Sequence, residues 1–192
     1  MLKKAERGRG KFKPAPTYDI SEVRNILLEK IAEEMQLDID EDDTYSFKDL
    51  HYKDNKANIV SLFCGAGGLD LGVELAGIDC VLGEETTDEA LKNREHFNSI
   101  REKGIFHHAY SNDFFKEALE TYKMNFPDTV YIHNCDIKKV KKFPKGDLVL
   151  GGFPCPGFSE AGPRLVDDPR NFLYVHFIRC LIQVQPKFFI AE

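Results

Sequence analysis

Short apolar runs alternate with longer amphipathic segments along most of the chain. Apolar, β-branched runs bounded by glycine, proline or polar residues predict strands, and they lie at 58–63, 79–83, 129–133, 147–150 and 186–191. Between them, apolar spacings of three and four predict helices at 69–76, closed by Gly77, at about 111–125 and at about 170–185. Because strands and helices alternate, the pattern predicts an α/β fold with a mostly parallel, doubly wound sheet.

The first 56 residues have a different character. Residues 1–17 are basic and rich in glycine and proline, which predicts a flexible arm, with a phosphate-contacting arm as the alternative. From Asp19 onwards apolar residues recur at helical spacing, and Asp19 or Ser21 is a candidate N-cap. The acidic run 38–43 lacks the glycine and the spaced glutamate of a calcium loop, so it is interpreted as a solvated loop.

These patterns divide the chain into three parts. Residues 1–17 form the arm, 18–56 a small helical extension, and 57–192 the main domain. Within the main domain the stretch at about 84–104 is polar, which predicts an exposed helical insertion at the domain surface. The apolar face of the extension is equally compatible with packing on the main domain and with binding a partner.

Composition excludes several classes of protein. The hydrophobic share of 42% and the charged share of 30% are typical of a soluble globular protein, and no apolar run approaches the ~20 residues of a membrane span. There is no signal-peptide pattern, and the five cysteines show no metal-ligand spacing, so we expect an intracellular protein with reduced thiols, no metal site and no membrane. A net charge of −6 does not by itself indicate a nucleic-acid binder.

A glycine loop between the first strand of the main domain and its helix predicts a ligand site. Residues 64–68 read Cys-Gly-Ala-Gly-Gly, and such a loop directs free backbone N–H groups and a helix N-terminus at a ligand. The third glycine of the dinucleotide fingerprint is replaced by Asp70. The pattern therefore favours a nucleoside-like cofactor without a pyrophosphate over a nicotinamide.

A second loop, at 151–159, presents one cysteine. It reads Gly-Gly-Phe-Pro-Cys-Pro-Gly-Phe-Ser and directly follows the apolar run 147–150. Pro154 and Pro156 restrict the backbone on both sides of Cys155, and the glycines allow a ligand to approach closely. This frame is typical of a positioned nucleophile, whereas a structural cysteine does not require it.

Several separated motifs together resemble the C5-cytosine DNA methyltransferase family. The resemblance rests on 62–69, on the loop 151–159 and on Pro186 spaced six residues before Glu192, with 110–113, 122–126, 135–137 and 168–173 in the right order between them. It covers roughly residues 58–192. It implies the sheet of the S-adenosylmethionine-dependent methyltransferases, incomplete at its C-terminal side.

The resemblance also implies roles for individual residues. Cys155 would attack carbon 6 of a cytosine that has left the duplex, and the carboxyl group of Glu192 would stabilise the ring at nitrogen 3 and the amino group. Asp113 would bind the ribose of S-adenosylmethionine, with Glu84 or Glu85 as the competing choice. The other residues implied to bind the cofactor are Phe63, Gly65, Gly67, Gly68, Leu69, Asp136, Ile137 and Leu173.

The implied activity is methyl transfer from S-adenosylmethionine to cytosine in duplex DNA, in a restriction-modification system. The alternatives are an RNA (tRNA) cytosine methyltransferase and a non-catalytic fragment that only binds a partner or a cofactor. The family's arginine motif, target-recognition region and C-terminal helix have no counterpart before Glu192. We therefore expect either a split enzyme whose second polypeptide supplies them or an incomplete chain, and we expect 1–192 alone to be inactive and prone to aggregate.

Overall fold

The strands and helices lie mostly where the apolar pattern predicts them. The computed structural model describes residues 19–35, 47, 50–156 and 168–192. The strands are β1 (Ala57–Leu62), β2 (Phe106–Asp113), β3 (Tyr131–Asn134), β4 (Leu148–Gly151) and β5 (Phe188–Ala191). The helices are α1 (Ile20–Met35), α2 (Gly68–Leu82), α3 (Glu84–Lys92), α4 (Arg94–Ile100), α5 (Lys116–Asn125) and α6 (Tyr174–Val184). Short 3₁₀ turns occupy Arg101–Lys103, Ile137–Lys139 and Pro169–Phe172.

The strands form one parallel sheet in the order β3-β2-β1-β4-β5. Alternate β1 side chains enter two different cores: Val60 and Leu62 pack with Phe177 of α6, whereas Ile59 packs with Val73 of α2. Helices therefore cover both faces, and the predicted α/β, doubly wound architecture is confirmed. Chain order reverses beside β1, so the loops after β1 and β4 open at the same edge of the sheet, where ligands bind in such folds.

The expected strand at 79–83 is wrong, because these residues continue α2 to Leu82. Gly77 does not end the helix. It is buried inside α2, and a Cβ atom at this position would lie 2.5 Å from the ring of Phe106 on β2. The glycine instead allows the helix to approach the sheet closely.

Two other predicted boundaries need correction, and so does the burial of the last strand. Residues 111–113 do not open a helix: they complete β2, whose residues from His107 onwards are all buried, and α5 starts at Lys116. The helix expected from about residue 170 begins as the 3₁₀ turn Pro169–Phe172 before α6. The apolar run at 186–191 predicts a buried strand, yet β5 lies at the edge of the sheet and is exposed, with Phe188 at 72%.

The polar insertion is helical, as predicted, and consists of α3 and α4. One side of it is nevertheless packed, because Ala90, Phe97 and Ile100 form a core cluster with Ile78 of α2. The predicted cap of α1 is also confirmed, since the Asp19 carboxylate accepts from the backbone N–H groups of Ser21 and Glu22.

Some sequence predictions lie outside the described residues, namely the arm 1–17, the acidic run 38–43 and the end of the cysteine loop at 157–159. Among the helices that the structure does describe, none has the length and apolar character needed to cross a bilayer.

Candidate active site

A cleft of about 510 Å³ lies at the carboxyl edge of the sheet, where β1, β2 and β4 end. Its walls come from the turn at Asp136–Lys138, the end of β2, and the turn that precedes α6. The lining residues are Phe63, Asn112, Asp113, Phe114, Phe115, Asp136, Ile137, Lys138, Gly152, Pro154, Pro169, Arg170 and Leu173.

The loop after β1 has an unusual backbone that the glycines make possible. Phe63, Gly65 and Gly67 all have positive φ, of 56°, 53° and 92°. Gly67 is also required sterically, because a Cβ atom there would lie 2.2 Å from Cε2 of Phe126. Helix α2 starts at the next residue, Gly68, so the loop leads directly into a helix N-terminus.

Asp113 connects this loop to the end of β2. Its Oδ2 accepts from the backbone N–H of Gly65 at 2.9 Å, and its Oδ1 accepts from the backbone N–H of Phe115 at 2.8 Å. The residue is 8% exposed and lines the cleft. Glu84 and Glu85, the competing candidates, are exposed at the start of α3 and do not line it.

The opposite wall is a 3₁₀ turn with a fixed backbone. The Asp136 carboxylate caps this turn by accepting from the backbone N–H of Lys138 at 3.0 Å, and Ile137 is buried. Asn112 fixes the approach to the turn, because its side-chain amide donates to the carbonyl groups of His133 and Cys135. The predicted pair 136–137 thus faces the cleft on a rigid support.

Five of the nine residues predicted to bind the cofactor line the cleft, a sixth is bonded to one of them, and three lie elsewhere. Those that line the cleft are Phe63, Asp113, Asp136, Ile137 and Leu173. Gly65 contributes through its bond to Asp113. Gly67 and Gly68 instead border a second cavity, between α2, α4 and the end of α5, and Leu69 packs against the core cluster around Ile59.

Cys155 stands next to the cleft. Gly152 and Pro154 line it, and the half-buried Cys155 follows directly, with its Sγ 3.6 Å from the carbonyl oxygen of Phe153. The Phe153 ring packs edge-on against Phe63, at 6.3 Å between centroids, and in a tilted arrangement against Phe177, at 5.6 Å. The start of the cysteine loop is therefore anchored in the core.

Three of the other four thiols differ from Cys155 in burial or in position. Burial raises the pKa of Cys180 to about 12. Burial, together with the charges of Asp70 and Asp113, raises the pKa of Cys64 further still. Both are buried and remain protonated at neutral pH. Cys80 is exposed, but it lies near the end of α2 rather than at the carboxyl edge of the sheet.

Glu192 is placed by the pairing of β4 with β5. The strands run parallel with Gly151 opposite Ala191, and the backbone N–H of Glu192 donates to the Gly151 carbonyl at 2.9 Å. The carboxylate-bearing residue and the cysteine loop therefore leave the same edge of adjacent strands.

Several residues that line the cleft are not among those predicted from the sequence. Phe114 and Phe115 are 64% and 65% exposed and contact each other edge to face, so an aromatic surface borders the cleft. Because Phe114 and Phe115 directly follow Asp113, they could have been predicted to lie at the ligand site. The predicted helix from residue 111 instead placed them inside a helix. Arg170 was also missed as a lining residue. It forms a two-point ion pair with Asp168 and, by this hydrogen bonding, lowers the pKa of that carboxyl group.

The donors and acceptors of the cleft fit an adenosine-like group. Two carboxylates, on Asp113 and Asp136, are suited to hydroxyl and amino donors, while Phe63, Ile137 and Leu173 offer apolar contact. Among the described residues, no cluster of three or more histidine, cysteine or acidic side chains is arranged to hold a metal ion.

Comparison with known proteins agrees with this geometry. A family model described as C-5 cytosine-specific DNA methylase matches residues 57–192. The chain is 59% identical over 191 residues to the Type II methyltransferase M.BspRI of Lysinibacillus sphaericus, which covers 100% of this chain and 45% of the relative. It is 57% identical over 187 residues to the Type II methyltransferase M.BsuRI of Bacillus subtilis, covering 97% of this chain and 43% of the relative.

A more distant relative aligns over a shorter region. The Type II methyltransferase M.NgoPII of Neisseria gonorrhoeae is 38% identical over 142 residues, or 72% of this chain and 33% of the relative. The chain thus spans less than half the length of the relatives it matches. With the family model covering the whole sheet and both loops of the site, the chain belongs to the C-5 cytosine-specific DNA methylase family.

Proposed function

We propose that this chain is the catalytic portion of a DNA (cytosine-5-)-methyltransferase of a restriction-modification system. It would transfer a methyl group from S-adenosylmethionine to carbon 5 of a cytosine flipped out of duplex DNA. The observation that carries the proposal is the continuity of the two sites: Gly152 and Pro154 belong to the wall of the adenosine-like cleft, and Cys155 is the next residue.

The cofactor would lie in the cleft between β1, β2 and β4. S-adenosylmethionine supplies an electrophilic methyl group on a sulfonium. Asp113 would accept from the ribose hydroxyls, and Asp136 from the adenine amino group, while Ile137 and Leu173 contact the ring edges. The exposed rings of Phe114 and Phe115 offer a face on which adenine can stack. Gly65, which bonds to Asp113 at the cleft, would border the methionine part, whereas Gly67, Gly68 and Leu69 would act by shaping the loop and the start of α2.

Cys155 would perform nucleophilic catalysis on the base. Its thiolate forms a bond to carbon 6, and the electron pair of the 5,6 double bond moves toward carbon 5, which thereby becomes nucleophilic. Once carbon 5 has gained the methyl group it loses its proton, the carbon 6–sulfur bond breaks, and the thiolate leaves as the double bond re-forms. Pro154 and Pro156 restrict the backbone around Cys155, so less conformational entropy is lost when the thiol is positioned for attack.

Glu192 would bind the opposite edge of the same base. Negative charge accumulates on the ring when the thiolate adds, and a carboxyl group at nitrogen 3 and the amino group stabilises it. The hydrogen bond from the Glu192 backbone to Gly151 sets the separation between this carboxyl group and the cysteine loop.

A second polypeptide, or a further segment, would complete the enzyme. The relatives are about twice as long as this chain, and the part they add would carry the side chains that read bases in the grooves. Apolar side chains on β5 are exposed, including Phe188 and Phe189, so the described edge of the sheet is suited to a covering partner. We therefore expect residues 1–192 alone to be inactive and to self-associate.

Mechanism-based trapping tests the proposal. A duplex containing 5-fluorocytosine cannot release the enzyme, because fluorine replaces the proton that must leave carbon 5. The chain should be incubated with this duplex and S-adenosylmethionine, alone and after fusion to the part of the Lysinibacillus sphaericus relative beyond the aligned region. We expect an adduct stable to denaturing electrophoresis with the fusion, lost in Cys155→Ser and retained in Cys80→Ser.

Other results of the same trapping experiment would support the alternative functions. Trapping with a 5-fluorocytosine RNA but not with DNA would assign an RNA methyltransferase. The absence of any adduct, even in the fusion, would contradict the catalytic role and leave a protein that only binds a cofactor or a partner. Full methylation of DNA by the unfused chain would refute the expectation that it needs a further part.

A further inference from the structure

The N-terminal helix α1 touches both walls of the cleft through a single carboxylate. Oε1 of Glu34 lies 2.7 Å from Nζ of Lys138 and 2.9 Å from Nε2 of His176. Lys138 belongs to the 3₁₀ turn that carries Asp136 and Ile137. His176 lies in the first turn of α6, and its backbone N–H donates to the carbonyl of Leu173.

The contact between Glu34 and His176 is well shielded from solvent, whereas the Lys138 side chain is 28% exposed. The side chain of Glu34 is 12% exposed and that of His176 is 4% exposed, so water competes weakly for the carboxylate. A shared carboxylate of this kind holds its two partners more firmly than an exposed surface ion pair does. α1 also packs against α6 and against the turn Pro169–Phe172, which forms part of the same wall.

The turn that carries Asp136 and Ile137 is held from three sides: Ile137 is buried in the core, α6 binds the backbone, and Glu34 binds Lys138. Arg179 of α6 donates from its guanidinium to the carbonyl groups of Ile137 and Val140, which fixes the backbone from beneath. Lys138 is the side chain of this turn that reaches across to α1. Removing the carboxylate would therefore break the link between this turn and α1, while its contacts with the core and with α6 remain.

We propose that Glu34 is a positioning residue of the cofactor site: by binding Lys138 and His176 together, it sets the distance between the wall that carries Asp136 and Ile137 and the wall that carries Leu173. Cofactor binding is itself part of the proposed function, so this inference rests on that function. Glu34 lies outside residues 57–192, the region that the family model matches, but inside the region aligned with the Lysinibacillus sphaericus relative.

Glu33 provides a matched control on the same helix. It is also a glutamate, its side chain is 55% exposed, and it pairs with Lys30 within α1. Lys139, exposed in the same 3₁₀ turn, is the corresponding control for Lys138. Calorimetric titration with S-adenosylhomocysteine should compare wild type with Glu34→Gln, Lys138→Met, the double variant, Glu33→Gln and Lys139→Met, all well below their unfolding temperatures.

We expect Glu34→Gln to raise the Kd for S-adenosylhomocysteine about fivefold. Glu33→Gln and Lys139→Met should leave this Kd unchanged. The double variant should bind no more weakly than the weaker single variant, because both changes break one link. Wild-type affinity in Glu34→Gln, or fully additive losses in the double variant, would overturn the inference while leaving the proposed cofactor site intact.

Hydrogen exchange provides a readout that needs no ligand. The backbone amides of 137–140 should exchange faster in Glu34→Gln than in Glu33→Gln, and the amides of β1 should not change. If the wild-type chain does not bind S-adenosylhomocysteine, the cofactor assignment fails, and the exchange result alone decides whether Glu34 positions the turn. Unchanged exchange at 137–140 would overturn that role.

Discussion

The Asp113 carboxylate and the backbone N–H of Gly65 lie 2.9 Å apart and join the ends of β1 and β2. The other oxygen of the same carboxylate fixes Phe115 at the start of the segment leading to α5. The Asp113 side chain thus fixes the position of the glycine loop relative to Phe115 at the border of the cleft. This arrangement explains why an acidic residue is required here even before a ligand binds.

Replacing Asp113 should therefore impair the cleft in two ways. In Asp113→Ala the loop loses an acceptor for the Gly65 N–H, and the site loses a partner for the ribose hydroxyls. We expect the affinity for S-adenosylhomocysteine to fall by about tenfold or more, as measured by calorimetry. Glu84→Gln and Glu85→Gln are the controls, and a loss of affinity in these variants with normal binding by Asp113→Ala would reverse the assignment.

The glycine positions should differ in their response to a methyl group. Gly67→Ala places a Cβ atom 2.2 Å from the Phe126 ring at a φ of 92°, so we expect a loss of about 2–3 kcal/mol in the free energy of unfolding. Gly65→Ala meets no neighbour and should cost only about 1 kcal/mol for its positive φ. Gly72 lies inside α2 with open space around it, so Gly72→Ala should raise the free energy of unfolding by about 0.5–1 kcal/mol.

Urea unfolding checks this order. Equal costs at Gly65 and Gly67 would show that the Phe126 ring moves away at little cost, and a destabilised Gly72→Ala would show that the helix N-terminus is packed differently.

Much of the fold could be predicted from the sequence because its signals are local. The alternation of apolar strands with helices specified the layers, and the glycine and proline residues marked both loops of the site. The end of α2 could not be predicted, because Gly77 has the appearance of a helix terminus unless its contact with Phe106 is known. The link from Glu34 to Lys138 and His176 joins residues more than a hundred positions apart, and no periodicity in the chain indicates it.

A buried polar network joins the first turn of α2 to β1, β2 and α5. Asp70 of α2 is fully buried and accepts from the hydroxyl groups of Ser61, at 3.0 Å, and Tyr122, at 2.8 Å, with Nδ1 of His108 at 3.2 Å. Asp70→Ala would leave these groups without their acceptor, so we expect a loss of about 3 kcal/mol in the free energy of unfolding. Asp79→Ala, at an exposed position of the same helix, should be close to neutral in the same urea titration. A small effect of Asp70→Ala would contradict a structural role for the network.

Stability should depend on pH through His176. Burial lowers the pKa of this histidine, and the charges of Arg179 and Lys138 act in the same direction, while Glu34 opposes them. Since the unfolded state binds a proton more readily, the contribution of His176 to stability is complete above about pH 6.5 and is lost as the pH falls toward the lowered value.

Comparison with His176→Gln isolates this contribution. The free energy of unfolding of the wild type should fall more steeply between pH 7 and 5 than that of the variant. His107, whose pKa burial also lowers, is present in both proteins and cancels in the difference. Parallel pH profiles for the two proteins would contradict the assignment.

The central claim is that Cys155 is the nucleophile, and mapping the trapped adduct tests it most directly. The covalent complex with the 5-fluorocytosine duplex should be digested and its modified peptide located by mass spectrometry, with the exposed Cys80 as an internal control in the same digest. We predict that the nucleotide is attached to the peptide that contains Cys155 and that Cys80 is unmodified. An adduct on Cys80 or on any other thiol, with Cys155 free, would contradict it.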